Sequence, residues 1–155
     1  MKAYASTLGV LGIPAQEKRS RYKVRAQGAP APAPGLALVE VRDGTVPFAA
    51  VGTLALALGV EAQALLAVVG MTPRTAARRK AEGSLTAGEA DRLLRVARVL
   101  EEATRVFGTQ EKAAGWLRTV APLLGGVEPY RLLESDAGAK AVSDELIRIE
   151  FGDFA

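Results

Sequence analysis

The chain has 155 residues, 49% of them hydrophobic and 24% charged, which suits one or two small domains with a packed core. It contains no histidine and no cysteine, and this excludes Cys/His zinc sites, Ser-His-Asp triads, thiol nucleophiles and disulfides. The net charge of +3 is unevenly spread: residues 1–35 hold six basic and one acidic side chain, residues 71–83 four and one, and residues 106–155 five and eight. That gradient predicts partners of opposite character for the two ends. The run from Leu8 to Ile13 is too brief for a signal h-region, and nothing approaches the roughly 20 apolar residues of a membrane span. A soluble, cytoplasmic protein that makes no membrane contact is expected.

Taken in chain order, residues 1–35 read as a basic arm, Lys18 to Arg25, followed by the Ala-Pro spacer GAPAPAPG from Gly28 to Gly35. Proline fixes φ and removes a donor, so an arm and linker without a core are expected there. The run Leu36 to Val41 suits either a short strand or a helical turn. From Pro47 the punctuation is helical. Pro47 suits a first helical position, with Val51, Leu54, Leu56 and Leu58 following and Gly59 as a stop. A second helix fits Glu61 to Val69. Thr72-Pro73 opens a third, closed by Gly83, and Thr86 with Glu89 forms a capping-box pattern for a fourth. This fourth helix runs to Phe107 with Leu93, Leu94, Ala97, Leu100, Ala103 and Phe107 as its apolar stripe. Asp91–Arg95 and Glu101–Arg105 have the i,i+4 spacing of ion pairs on its wet side. A fifth helix starts at Thr109 and ends before Pro122, a short one starts at Pro129, and Ser135 or Asp136 caps the last, towards Glu150. The expected fold is all-α: a helix-turn-helix unit at 36–105 joined by the long fourth helix to a small helical unit at 106–155.

The second and third helices are short and meet at Gly70-Met71-Thr72, the layout of a helix-turn-helix whose second helix enters a major groove. That helix carries Arg74, Arg78, Arg79 and Lys80, with Thr72 and Thr75 near its N-terminus. Arg74 and Arg78 share a face and present forked donors to base edges or phosphates, while Arg79 and Lys80 turn towards the DNA backbone. A merely solvated basic helix is the competing reading. Trp116, the single tryptophan, sits in an Ala/Leu helix and reads as core. Gly125-Gly126 follows no strand and lacks the lysine of a phosphate loop. Asp144 and Glu145 are adjacent and so diverge on a helix, which argues against paired acid/base work and for an acidic surface. No metal, cofactor or catalytic residue is expected.

The stretch 74–100, RTAARRKAEGSLTAGEADRLLRVARVL, resembles the helix-turn-helix half of the Xre/MbcA/ParS antitoxin family. The stretch 106–152 resembles that family's C-terminal toxin-binding domain. The matching pieces are Arg78-Arg79 with Gly83 and Leu85, Arg92-Leu93, Phe107-Gly108, Ala114 with Trp116-Leu117, Leu124-Gly125-Gly126, Pro129, Leu132-Leu133, Gly138-Ala139, and Ile149-Glu150 with Gly152. Two departures from the family pattern stand out. Thr119 to Leu123 replaces an Asn-Pro-rich loop, and Glu134-Ser135-Asp136 stands where Asp-Thr-Glu is more typical. The resemblance implies an antitoxin that dimerises, represses its own operon by binding operator DNA, and silences a RES-class toxin that consumes NAD. It would make 106–155 the toxin-binding domain.

The chain end, Arg148-Ile149-Glu150-Phe151-Gly152-Asp153-Phe154-Ala155, adds two aromatics and a glycine to a charged helix terminus. Arg148, Glu150, Phe151, Gly152, Asp153 and Phe154 are therefore the candidate toxin contacts, occluding an NAD entrance shaped for phosphates. Leu123, Leu132 and Leu133 are expected to support the fold. Two rivals remain on sequence grounds: a stand-alone regulator with a ligand- or partner-sensing rear domain, and a helical scaffold. The regulator needs an apolar pocket with converging polar groups in 106–155.

Overall fold

Side-chain caps start four of the helices, at Thr72, Thr86, Thr109 and Ser135, and left-handed glycines close four, at Gly59, Gly83, Gly108 and Gly152. The computed structural model describes residues 44–152, and among these the order is α1 (Ala49–Leu58), α2 (Ala62–Val68), α3 (Pro73–Glu82), α4 (Ala87–Phe107), α5 (Gln110–Leu117), a 3-10 turn (Pro122–Leu124), α6 (Pro129–Leu132) and α7 (Asp136–Phe151). The arm and linker at 1–35 and the run Leu36 to Val41 lie outside the described residues. Two isolated bridges, Pro47 with Ser84 and Ala121 with Val127, are the extended pairings found among the described residues.

The Thr72 hydroxyl accepts from the Thr75 N–H at 3.2 Å, with Pro73 filling the first turn of α3. The Thr86 hydroxyl accepts from the Glu89 N–H while the Glu89 carboxylate accepts from the Thr86 N–H at 2.8 Å, the reciprocal pair that sequence spacing predicts. Thr109 and Ser135 cap α5 and α7 in the same way. One start differs from expectation. Pro47 is not helical: the Phe48 N–H donates to the Gly83 carbonyl and the Leu85 N–H to the Val46 carbonyl, so this segment pairs with the α3–α4 link before α1 begins.

In α1 the inward side chains are Val51, Leu54 and Leu58, spaced for one face, whereas Leu56 is 84% exposed. Two residues turn a helix by roughly 200°, so Leu56 cannot share the face of Leu54 and Leu58. Each fully buried leucine contributes about 1.5–3 kcal/mol relative to exposure. The spine of the fold is α4, which packs against α1, α5 and α7. Because it is covered on more than one side, its buried face widens to include Val96 and Val99, while Leu94 and Phe107 are half-buried. A single cluster of buried side chains runs from Val46 to Leu146 through both halves of the chain. Trp116 is half-buried and packs on this cluster against the Phe107 ring, 5.5 Å away between centroids.

Two arginines of α4 find partners on or beside α7. Arg95 reaches across to Asp136 at 2.6 Å and to the Leu133 and Glu134 carbonyls, and Arg105 pairs with Glu150 near the end of α7. These contacts fasten both ends of α7 to α4. At the start of α7, Gly138 is forced by space: a Cβ there would lie 1.9 Å from the Leu132 carbonyl oxygen. No single helix among the described residues is long and apolar enough to cross a membrane.

Candidate nucleic-acid and partner interfaces

α2 and α3 meet through Val69, Gly70 and Met71, with Gly70 in the left-handed region at φ 74° and the Met71 N–H bonded to the Leu66 carbonyl. α3 rests on the fold through few apolar side chains; Ala76 is the buried one along its length. Its other surface is open. Arg74, Arg78 and Lys80 are exposed, and Arg74, Thr75 and Arg78 line an open hollow of about 370 Å³. The Thr72 and Thr75 hydroxyls bond each other at 3.1 Å beside it. Arg78 lies 4.0 Å from Glu82, a loose surface contact worth little. A helix start with free cations on one face is what a phosphate backbone and base edges require.

Arg79 is placed differently from its neighbours. Its side chain is only 14% exposed, and its Nε donates to both Glu89 oxygens, at 3.0 and 2.7 Å, with Nη1 reaching Glu82. The hydrogen bond to Glu82, then that to Glu89, holds its guanidinium above the ordinary arginine range. Burial pushes the Glu89 carboxyl up, but hydrogen bonds from Thr86 and Arg79 outweigh it and keep the group below the usual glutamate value. Arg79, expected to turn towards the DNA backbone with Lys80, is instead engaged within the fold by Glu89 and Glu82.

At the other end of the molecule the charges are largely paired. Arg148 meets Glu145 at 3.1 Å, Glu150 meets Arg105, and Lys140 meets Asp144 at 2.6 Å. What stands free is apolar. Phe151 is 77% exposed, Ile147 one turn before it is half-exposed, and the left-handed Gly152 ends the helix. Asp153 and Phe154 lie outside the described residues. The 3-10 turn packs beside α7 and carries Leu123, 66% exposed, with Val120 and Val127 also outward. Leu133 is buried and Leu132 partly so, as expected, but Leu123 does not support the core. Sequence reasoning missed Ile147 and Leu123. The i,i+4 spacing of Ile147 and Phe151 was the available signal. On α4, burial, and then the charge of Glu102, pushes the Glu101 carboxyl up to about 7.

The family model described as the antitoxin Xre-like helix-turn-helix domain matches residues 37–98, and that of the antitoxin Xre/MbcA/ParS C-terminal toxin-binding domain matches residues 102–152. The chain belongs to the Xre/MbcA/ParS antitoxin family. Among its relatives, the protein named Antitoxin Xre of Photorhabdus laumondii is 36% identical over 90 residues, 57% of this chain and 61% of the relative. Antitoxin Xre of Yersinia enterocolitica is 36% identical over 93 residues, 59% and 63% of the two chains, and that of Pseudomonas putida 35% over 68 residues, 44% and 43%. The similarity thus spans about three fifths of the first two relatives. These names belong to binding and regulatory proteins, not to enzymes. The two matched regions divide the structure near the middle of α4: the exposed arginines of α3 fall in the first, and Ile147 and Phe151 in the second.

Proposed function

We propose that this chain is the antitoxin of a type II toxin–antitoxin pair, binding operator DNA with α3 and its toxin with the end of α7 and the adjacent 3-10 turn. The observation that carries the second half is the pair Ile147 and Phe151, exposed one turn apart in the region that matches a toxin-binding domain. Exposed aromatics on a fixed helix are typical anchors of a protein interface. The partner is a RES-class toxin that degrades NAD, the chain acts in the cytoplasm, and a homodimer presents two copies of α3 to a two-fold operator. Neighbouring Glu145, Glu150 and Asp144 are already paired within the chain, so apolar contact contributes more here than mimicry of NAD phosphates. DNA contact falls to Thr72, Arg74, Thr75, Arg78 and Lys80. Toxin contact falls to Phe151 with Arg148, Glu150, Gly152, Asp153 and Phe154, extended by Ile147 and Leu123.

The test is co-expression with the RES-class toxin encoded beside it. The full chain restores growth and holds cellular NAD steady, while truncation after Ile149 loses both. A truncated chain that still binds the toxin tightly and blocks NAD loss would place neutralisation on another surface.

A further inference from the structure

Two residues of α4, Glu89 and Arg92, reach back into the helix-turn-helix. Glu89 takes both hydrogen bonds from Arg79 Nε near the C-terminal end of α3. Its side chain is only 10% exposed and also closes the cap at Thr86. One turn later, Arg92 Nη1 donates to the Val69 carbonyl at 2.9 Å, at the turn that leads into α3. The same guanidinium lies over Gly70, where a Cβ would come within 3.1 Å of it. The first two turns of α4 therefore hold α3 near its C-terminal end and hold the turn that leads into its start, while α3 itself buries only Ala76.

We propose that Arg79 is a positioning residue for DNA binding and not a DNA contact: with Glu89 and Arg92 it forms a clamp that fixes the angle at which α3 presents Arg74 and Arg78. This rests on the DNA-binding reading above. Bidentate contact with a base edge tolerates little misplacement, and a ten-residue helix with one buried side chain has scant apolar contact to set its rotation. A planar guanidinium bridging a poorly solvated carboxylate supplies the missing direction.

The sign of one substitution separates positioning from simple electrostatics. Glu89 is acidic, so Glu89→Gln raises the net positive charge of the unit. Electrostatics alone then tightens DNA binding, and a freed Arg79 adds a phosphate contact and steepens the salt dependence. A lost clamp weakens binding instead.

The full chain is titrated onto its own promoter fragment over a series of salt concentrations, beside Glu89→Gln, Arg79→Met, Arg74→Ala and Thr86→Ala, with melting followed by circular dichroism. Glu89→Gln and Arg79→Met are expected to weaken binding at least about tenfold with the salt slope of the parent, whereas Arg74→Ala lowers the slope by about one per protomer. Thr86→Ala removes the other half of the cap without touching Arg79, and its affinity stays within about twofold of the parent even where its melting temperature falls as far. The proposal is overturned if Glu89→Gln binds as well as or better than the parent, if Arg79→Met lowers the slope as Arg74→Ala does, or if Thr86→Ala weakens binding equally. A parent that does not bind the fragment, alone or with its toxin, overturns the DNA-binding reading itself and this proposal with it.

Discussion

The two ends of the molecule solve the problem of presenting a surface in opposite ways. At α3 the exposed groups are cations and the device beneath them is ionic, Arg79 against Glu89 and Arg92 against the Val69 carbonyl. At α7 the exposed charges are largely paired and the groups left without such partners are apolar, Ile147 and Phe151; beneath them lies packing, with Val142 and Leu146 buried and Gly138 against the Leu132 backbone, besides the ion pairs to α4 at either end. An interface built from cations releases counterions on binding and is sensitive to salt, whereas one built from buried aromatics is not. The difference teaches that affinity for nucleic acid and affinity for a protein partner can be tuned separately in a chain of this size, although one core runs beneath both.

The largest expected effect is at the charged end. Replacing Arg74 and Arg78 together by alanine should cost about 4 kcal/mol of operator binding and lower the salt slope by about two per protomer, read by gel retardation over a salt series. Toxin binding by this variant should match the parent; joint loss of both would break the comparison.

Close packing at the other end gives the next effect. Gly138→Ala places a carbon against the Leu132 carbonyl and should destabilise the chain by about 3 kcal/mol in urea unfolding, because backbone must move to admit it. A loss below about 1 kcal/mol would show that the α6–α7 junction is looser than its geometry states. Phe151→Arg should weaken toxin binding by about a hundredfold, some 2–3 kcal/mol, by calorimetry, with unfolding unchanged since the ring is in solvent.

The smallest effect sharpens the contrast through pH. The Glu101 carboxyl is raised to about 7 in the fold, mainly by burial, so its ionisation opposes folding. The penalty is absent below the ordinary glutamate value, grows as pH rises towards 7 and is complete above it. Glu101→Gln should therefore leave stability unchanged near pH 4 and raise it by about 1 kcal/mol at pH 8, after allowance for solvent screening of a half-exposed group. Glu89, held below its ordinary value, runs the other way: the stability it contributes is complete above that value and fades as pH falls through the lowered one. Thermal melts of Glu101→Gln and Glu89→Gln across pH should show these opposite trends.

The parts of this fold that were legible in the sequence are those with local causes. Thr72 before Pro73, Thr86 three residues before Glu89, and Ser135 three before Gly138 each place a helix start, since cap and donor lie within one turn. What local spacing cannot show is a partner from another helix. Spacing along α4 gives no sign that Arg95 reaches Asp136 or that Arg105 reaches Glu150 once α7 folds alongside. Arg79 sits among exposed cations in the sequence, and only the approach of α4 turns it inward. Leu123 looked like core by type, but the left-handed turn at Gly125-Gly126 leaves it facing outward. The exposed cationic face of α3 was readable because Arg74 and Arg78 stand four residues apart on one side of the helix. The partner surface was only half readable, because exposure depends on what else covers the helix.

The most direct test of two separable surfaces is to titrate one preparation of the chain with its promoter fragment and with its toxin, each at about 50 and about 200 mM salt. The account predicts that DNA affinity falls by roughly a thousandfold, as for six phosphate contacts in a dimer, while toxin affinity changes by less than about threefold. Equal salt dependence of the two affinities would contradict it.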